Sequence, residues 1–123
     1  MKKDIITITI PSKPDYISVI RLTSSAIASN IGLNIEEIED IKVSIAEACI
    51  NAIDKSDEIT IQFNIETDKL IMKVNNVSSS KDDNIDLDRE RELGILIIKS
   101  LMDEVNFSEE GVEMIKYIED GNK

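Results

Sequence analysis

Apolar residues recur along the chain at two spacings, one typical of strands and one of helices. Ile6, Ile8 and Ile10 alternate with threonines, and the prolines in residues 11–14 then end the pattern. The same alternation returns in four later segments, which are residues 59–65, 70–74, 105–107 and 112–118. The sequence therefore predicts five strands, of which the last four form two hairpins.

Three other segments follow helical spacing. The first lies between Asp15 and Gly32, and the second begins after Asn34, a good N-cap with Glu37 in a capping-box arrangement. The third covers residues 93–102, with Gly94 near its start. Residues 75–91 are polar and charged without a sustained period, so we expect a mobile loop, either a plain surface loop or a lid over a site.

The order of these elements predicts the fold class. Strand, two helices, hairpin, loop, helix and hairpin indicate an α+β, two-layer α/β sandwich, with a mixed, mostly antiparallel sheet and about three helices on one face. A chain of 123 residues can bury one sizeable core. We expect a single domain over residues 1–123.

Charge and composition restrict the possible functions. The net charge is −11, from 25 acidic and 14 basic residues, whereas nucleic-acid backbones are bound by surfaces rich in Lys and Arg. Nucleic acid is therefore not an expected partner. The chain has no histidine, which excludes catalytic triads with histidine and metal sites with histidine ligands. Any general base must therefore be a carboxylate. The single Cys49 is interpreted as a buried structural thiol.

The sequence also predicts where the protein is located. The first ten residues, MKKDIITITI, lack the apolar core of a signal peptide. No window of the sequence approaches the apolar length of a membrane span. We expect a cytoplasmic protein without membrane contact.

The second helix carries a polar stripe opposite its apolar face. The stripe comprises Asp40, Ser44, Glu47, Asn51 and Asp54. Glu47 and Asn51 are four residues apart, so their carboxylate and carboxamide lie side by side. A solvated helix face explains such a stripe more often than a ligand site does, and the pattern alone leaves both interpretations open.

Three stretches in the same order resemble a known family. They are YISVIRLTSSAIAS (16–29), IEDIKVSIAEACINAI (38–53) and GILIIKSLMDEV (94–105). The chain resembles the GHKL (Bergerat) ATPase fold of histidine kinases, gyrase and Hsp90. It is most similar to the RsbW and SpoIIAB branch, whose members are anti-sigma factors and serine kinases. The resemblance extends over nearly the whole chain.

The resemblance implies roles for particular residues. In this family the asparagine of the E-A-x-x-N-A motif binds the Mg²⁺ that bridges the ATP phosphates, and the glutamate is a base or orienting group. Asn51 would then be the metal ligand and Glu47 the catalytic base. Mg²⁺ prefers oxygen ligands, and phosphoryl transfer needs mainly positioning and charge neutralisation. The implied substrate is a serine on an anti-anti-sigma (STAS-type) protein.

The glycine motifs of the family are altered in this chain. Asn76 and Ser78 stand where the family has Asp-x-Gly at the adenine site, and a neutral amide is a weaker acceptor than a carboxylate. Gly94 remains from the second motif and is expected to expose backbone N–H groups to phosphate at a helix N-terminus. Glu92 adds a negative charge there, the lid is short, and Lys55 replaces a frequent histidine.

Two functions therefore stay open. One is an anti-sigma regulator that binds ATP and Mg²⁺ and phosphorylates its anti-anti-sigma partner. The other is a non-catalytic module on the same fold whose nucleotide site has decayed. In both, Arg21 corresponds to an arginine by which the family contacts its sigma factor, although an ordinary solvated arginine is the alternative. The family's dimers make a homodimer the expected assembly.

Overall fold

The computed structural model describes residues 4–53, 55–77 and 85–118. Ser78, one of the expected site residues, lies outside the described residues, as does Asp54 of the polar stripe. The strands are β1 (Asp4–Pro11), β2 (Glu58–Ile65), β3 (Lys69–Asn75), β4 (Glu104–Ser108) and β5 (Gly111–Tyr117), and the helices are α1 (Ile17–Asn30), α2 (Ile35–Ala52) and α3 (Ile85–Leu101). A short 3₁₀ turn at Pro14–Tyr16 precedes α1. This order confirms the predicted one.

The five strands form one sheet in the order β1-β2-β3-β5-β4. Every neighbouring pair in it is antiparallel. The register places Phe63 opposite Met72 and Met72 opposite Met114, so these three side chains lie on the same face of the sheet. All three are fully buried, and this face is the one that the helices cover.

The helices and that sheet face share one hydrophobic core. The sequence predicts an apolar face on α2, of which Ile41, Ile45, Ala48 and Ala52 are fully buried and Ile38 is partly buried. Helix α2 packs against α1 on one side and against α3 on the other. The α+β two-layer fold is therefore confirmed, with α2 at the centre of the helical layer. No helix in the described ranges has the length and apolarity needed to cross a membrane.

The start of α2 is fixed by the predicted capping box. The Glu37 backbone N–H donates to Asn34 Oδ1 at 2.8 Å, and the Asn34 N–H donates to Glu37 Oε1 at 2.9 Å. These two bonds satisfy donors that a helix N-terminus otherwise leaves unpaired. They set where α2 begins, and hence which of its residues face α3.

Helix α3 differs from the prediction at its N-terminal end. It begins at Ile85, whereas the sequence pattern predicted a loop through residue 91 and a helix from residue 93. The prediction relied on apolar periodicity, which this charged stretch lacks. Leu, Arg and Glu are nevertheless good helix formers, and acidic residues stabilise a helix start. The expected loop is therefore helical from residue 85 onward.

A buried lysine connects helices α2 and α3 to the sheet. Lys116 on β5 is only 8% exposed, and its Nζ donates to the Leu101 carbonyl at 3.1 Å. The same Nζ lies 3.6 Å from Asp40 Oδ2 on α2. Because a helix C-terminus leaves its last carbonyls unpaired, Lys116 caps α3 and joins it to α2.

Candidate functional site

The polar stripe of α2 is turned largely toward the protein. Ser44 is fully buried and Asn51 is 3% exposed, while Glu47 is half-buried. The Ser44 hydroxyl oxygen has no hydrogen-bond partner among the described residues. Burying polar groups costs free energy unless they are paired or serve a ligand. A plain solvated face is therefore the wrong interpretation for Ser44 and Asn51.

The buried carboxamide of Asn51 contacts a cation. Lys55 Nζ donates to Asn51 Oδ1 at 3.0 Å. Asn51 is in the last turn of α2, and Lys55 lies in the loop that follows the end of this helix at Ala52. The atom that the family resemblance assigns to metal binding thus already carries a positive group from this chain.

Glu47 lies against the α3 backbone at Gly94. A Cβ atom added to Gly94 would be 2.8 Å from Glu47 Oε1, which is closer than real Cβ atoms come to an oxygen. The absence of a side chain at Gly94 therefore leaves the space that the Glu47 carboxylate occupies. Helix α3 thus forms one wall of the site around the candidate base.

The expected position of Gly94 at a helix N-terminus is wrong for this structure. Because α3 begins at Ile85, Gly94 lies in its interior, where backbone N–H groups bond to carbonyls one turn earlier. Its N–H is not presented at a helix end as the sequence suggested. What the structure does bring together is Gly94 and Glu47. The expected contact of Gly94 with phosphate stays a prediction.

Asn76 lies just after β3 and is hydrogen-bonded to the loop between α2 and β2. Its φ of +65° is a left-handed conformation that asparagine tolerates better than most residues. Its Nδ2 donates to Ser56 Oγ at 2.9 Å, and its backbone N–H donates to the Glu110 carbonyl at 3.0 Å. With Nδ2 bonded to Ser56, Oδ1 is the side-chain atom suited to accept a hydrogen bond from a ligand.

These contacts gather four of the relevant side chains at one end of the helical layer. Asn51 contacts Lys55, Lys55 precedes Ser56, and Ser56 bonds Asn76. Sequence reasoning noted Lys55 only as a departure from the family and overlooked Ser56. Helical spacing gave no signal for the first contact, because α2 ends at Ala52, before Lys55. The second joins residues twenty apart, and no local pattern indicates it.

The oxygen donors of this cluster suit a magnesium ion that arrives with a nucleotide. Mg²⁺ takes oxygen ligands, usually one or two from the protein, with water and phosphate completing its shell. Asn51 offers a carboxamide oxygen that already accepts a cation at 3.0 Å, and Glu47 lies one turn away. In the described part of the chain, no group of three or more Cys, Asp or Glu side chains could hold a metal ion by itself.

Two cavities are lined by residues of the sheet and its loops. One of about 360 Å³ adjoins the cluster and is lined by Ser12, Lys13, Lys55, Ser56 and Asp57. A larger one, of about 510 Å³, is lined by residues such as Gln62 and Lys73, whose neighbours in sequence face the core. The larger cavity is therefore on the face opposite the helices, away from Glu47 and Asn51, whereas the smaller one shares Lys55 and Ser56 with the cluster.

Arg21 is not part of this cluster. It is exposed on α1, which packs on the side of α2 opposite to α3. Its neighbours Val19 and Leu22 are 46% and 70% exposed. A charged arginine beside exposed apolar side chains is typical of protein interfaces. The structure thus separates a protein-binding candidate surface from the candidate nucleotide site.

Cys49 takes no part in the site. The thiol is buried, and burial raises its pKa to about 12. A thiol with such a pKa stays protonated at neutral pH and is a poor nucleophile. The structural interpretation of this cysteine agrees with its surroundings.

Comparison with known proteins identifies the family to which this fold and site belong. A family model described as the histidine kinase-like ATPase domain matches residues 10–116. The chain is 33% identical to the serine-protein kinase RsbW of Bacillus subtilis (strain 168), covering 94% of this chain and 86% of that protein. It is 36% identical to the serine-protein kinase RsbW of Staphylococcus aureus (strain JH9), covering 95% and 89%. The chain belongs to the histidine kinase-like ATPase family, in its RsbW-type branch.

The alignments also reveal a difference in length. The match to the Bacillus subtilis protein spans 142 positions, whereas this chain has 123 residues. At least 19 of those positions, the difference between the two lengths, have no counterpart in this chain.

Proposed function

We propose that this chain is an anti-sigma regulatory factor with ATP- and Mg²⁺-dependent serine kinase activity. It binds a sigma factor, and it phosphorylates a serine of an anti-anti-sigma (STAS-type) partner. The observation that carries the proposal is the inward-facing pair Glu47 and Asn51 on α2, in a chain whose relatives are named serine-protein kinases. Acting on transcription regulators, it would work in the cytoplasm.

Each residue of the cluster has a chemical role in this proposal. Asn51 Oδ1 ligates the metal ion, which when bound neutralises charge on the phosphates. Glu47 accepts the proton of the attacking serine hydroxyl or orients that hydroxyl, since the chain has no histidine for this task. Asn76 Oδ1 accepts a hydrogen bond from the adenine amino group. The roles expected for Ser78 and Gly94 in nucleotide binding remain predictions.

Several features make nucleotide binding weaker than in the family's usual pattern. Asn76 offers a neutral acceptor in place of a carboxylate, and such bonds are roughly half as strong. Glu92 is an exposed acidic residue two positions before Gly94, and its charge opposes nearby phosphates. A shorter lid would also cover less of a bound nucleotide.

The alternative is a non-catalytic binding module on the same fold. The contact of Lys55 with Asn51 and the interior position of Gly94 in α3 favour it, because both differ from an open phosphate site. In that case Arg21 and the exposed apolar residues around it on α1 would carry the function by binding the sigma factor. A homodimer is proposed for either case.

Calorimetric titration distinguishes the two functions. The purified chain is titrated with ATP in the presence of Mg²⁺, beside Asn51→Ala and with Lys42→Met as a control on the same helix. Micromolar binding in the native chain and in Lys42→Met supports the kinase, and loss of the Mg²⁺-dependent part of that binding in Asn51→Ala assigns the metal ion to Asn51. Absence of heat at millimolar ATP supports the binding module and refutes the kinase. Transfer of labelled phosphate to a STAS-type partner, lost in Glu47→Gln, then tests the base.

A further inference from the structure

The contact between Lys55 and Asn51 places a cation at the atom expected to bind metal. Lys55 Nζ lies 3.0 Å from Asn51 Oδ1, and Asn51 is 3% exposed. Oδ1 is the only atom of the carboxamide with lone pairs to offer, since the NH₂ group is a donor. A metal ion and the Lys55 ammonium therefore require the same oxygen.

The metal ion and the Lys55 ammonium group would repel each other if both contacted Asn51 Oδ1. Mg²⁺ binds oxygen at about 2.1 Å and an ammonium hydrogen bond is about 3 Å long, so the two charges would lie within about 5 Å of each other. Asn51 is nearly inaccessible to water, so this repulsion is screened less than at the surface. Binding of the metal ion thus requires Lys55 to leave Asn51.

The Lys55 side chain has an alternative position when it moves away from Asn51. The residue is exposed, and it borders the cavity of about 360 Å³ that Lys13 also lines. A lysine ammonium is a mobile point charge that binds phosphate well. If a nucleotide places its phosphates beside Asn51, the Lys55 side chain can pair with them without any change in α2.

We propose that Lys55 is an internal substitute for the divalent cation. It holds Asn51 in the nucleotide-free protein and pairs with the phosphates of a bound adenine nucleotide, so that binding depends little on Mg²⁺. The proposal rests on the nucleotide site of the proposed function, and it adds a residue that determines the metal requirement of that site.

The first test measures ADP affinity calorimetrically with excess Mg²⁺ and with excess EDTA. The chain is compared with Lys55→Met and Lys55→Arg, and with Lys42→Met as the matched control. Lys42 is on α2, like Asn51, and pairs with Glu39 at 3.1 Å, away from Asn51. For the native chain and the control, the two dissociation constants should agree within about threefold, whereas in Lys55→Met their ratio should rise at least about tenfold.

The outcomes of this test are distinct. Lys55→Arg keeps the charge and should keep the small ratio of the native chain. Equal ratios in the native chain and Lys55→Met would overturn the proposal. Absence of ADP binding in every variant would refute the proposed function. In that case, a second experiment tests whether Lys55 and a metal ion compete for Asn51.

The second experiment uses Mn²⁺ alone as a paramagnetic probe, without nucleotide. It follows the broadening of the Asn51 side-chain amide signals in the NMR spectrum of ¹⁵N-labelled protein. If Lys55 occupies Oδ1, these signals should broaden at several-fold lower Mn²⁺ in Lys55→Met than in the native chain or Lys42→Met. Identical titrations in all three proteins would overturn the competition between Lys55 and the metal ion.

Discussion

The Glu47 carboxylate on α2 lies in the space that a side chain at Gly94 on α3 would occupy. Its Oε1 is 2.8 Å from the position of a Cβ on residue 94. Helix α3 therefore cannot carry a larger residue at this point without moving the candidate base. The contact makes the interior glycine of α3 a positioning residue for Glu47.

The first prediction is that Gly94→Ala stabilises the protein less than a glycine-to-alanine change inside a helix normally does. Replacing glycine by alanine inside a helix stabilises it by about 1 kcal/mol, but here the new methyl group must displace the Glu47 carboxylate. We expect a gain well below that value, measured by urea denaturation. Phosphate transfer should fall as well, because the carboxylate has moved.

A double-mutant cycle provides the control for this prediction. In a Glu47→Ala background the new methyl group meets no carboxylate, so Gly94→Ala should give its full gain of about 1 kcal/mol. An equal gain in both backgrounds would show that the side chains do not compete for this space.

The second prediction concerns Asn76. Asn76→Asp restores a charged acceptor for the adenine amino group, and charge-assisted hydrogen bonds exceed neutral ones by about 1 kcal/mol. We expect up to about tenfold tighter ATP binding, measured by calorimetry. Aspartate also tolerates the left-handed φ of +65° at this position.

The same change has a structural cost that can be measured separately. Asn76 Nδ2 donates to Ser56 Oγ at 2.9 Å, and a carboxylate has no hydrogen to donate. Ser56→Ala removes that bond without altering the adenine acceptor, and serves as the matched control. Unchanged ATP affinity in Asn76→Asp and in the double change Asn76→Asp with Ser78→Gly would assign the weak binding to Glu92 or to the short lid.

The strands and α2 follow from local sequence patterns because their determinants are local. Alternating isoleucines in β1 and the Asn34–Glu37 capping box act within a few residues. The order of elements then leaves few ways to cover one sheet face with helices. For the same reason the i, i+4 pair Glu47 and Asn51 could be recognised before its surroundings were known.

Features that depend on contacts between distant segments could not be predicted in this way. The packing of Glu47 on Gly94 joins two helices, and the bond from Asn76 to Ser56 joins the end of β3 to the loop between α2 and β2. The predicted start of α3 was wrong, because a charged helical segment without an apolar stripe gives no periodic signal in the sequence. Burial of the polar stripe likewise depends on where α3 packs.

The third prediction tests the surface around Arg21. The side chain is exposed on α1 beside Leu22, which is 70% exposed, so Arg21→Ala should leave the thermal unfolding temperature unchanged. Arginines that anchor an interface typically contribute 2 kcal/mol or more. We expect sigma-factor binding, measured by surface plasmon resonance, to weaken at least about tenfold. A variant that binds its sigma partner with native affinity would contradict the assignment.

The fourth prediction is that Lys116 stabilises the fold. Lys116→Met removes the hydrogen bond to the Leu101 carbonyl at the end of α3 and the contact with Asp40. We expect a loss of about 1–3 kcal/mol in the free energy of unfolding, measured with urea. Lys42→Met is the control, since its pair with Glu39 is exposed and should cost at most about 0.5 kcal/mol. Similar losses in the two variants would contradict a special role for Lys116.

The fifth prediction links Cys49 to stability at alkaline pH. Burial raises the pKa of its thiol from 9.0 to about 12 in the folded protein, whereas the unfolded chain keeps the ordinary value. Below pH 9 both states hold the proton, so the free energy of unfolding is unaffected. As the pH rises from 9 toward 12, the unfolded chain loses its proton first, and the folded state loses about 1.4 kcal/mol of stability per pH unit.

Comparison with Cys49→Ala isolates this contribution, because all other titrating groups are the same in both proteins. Urea denaturation at a series of pH values should give parallel stability curves below pH 9, offset by the cost of the missing sulfur atom. Above pH 9 the native curve should fall more steeply than the alanine curve, so the two converge. Curves that stay parallel across this range would mean that the folded thiol titrates normally and that water reaches Cys49 in the core.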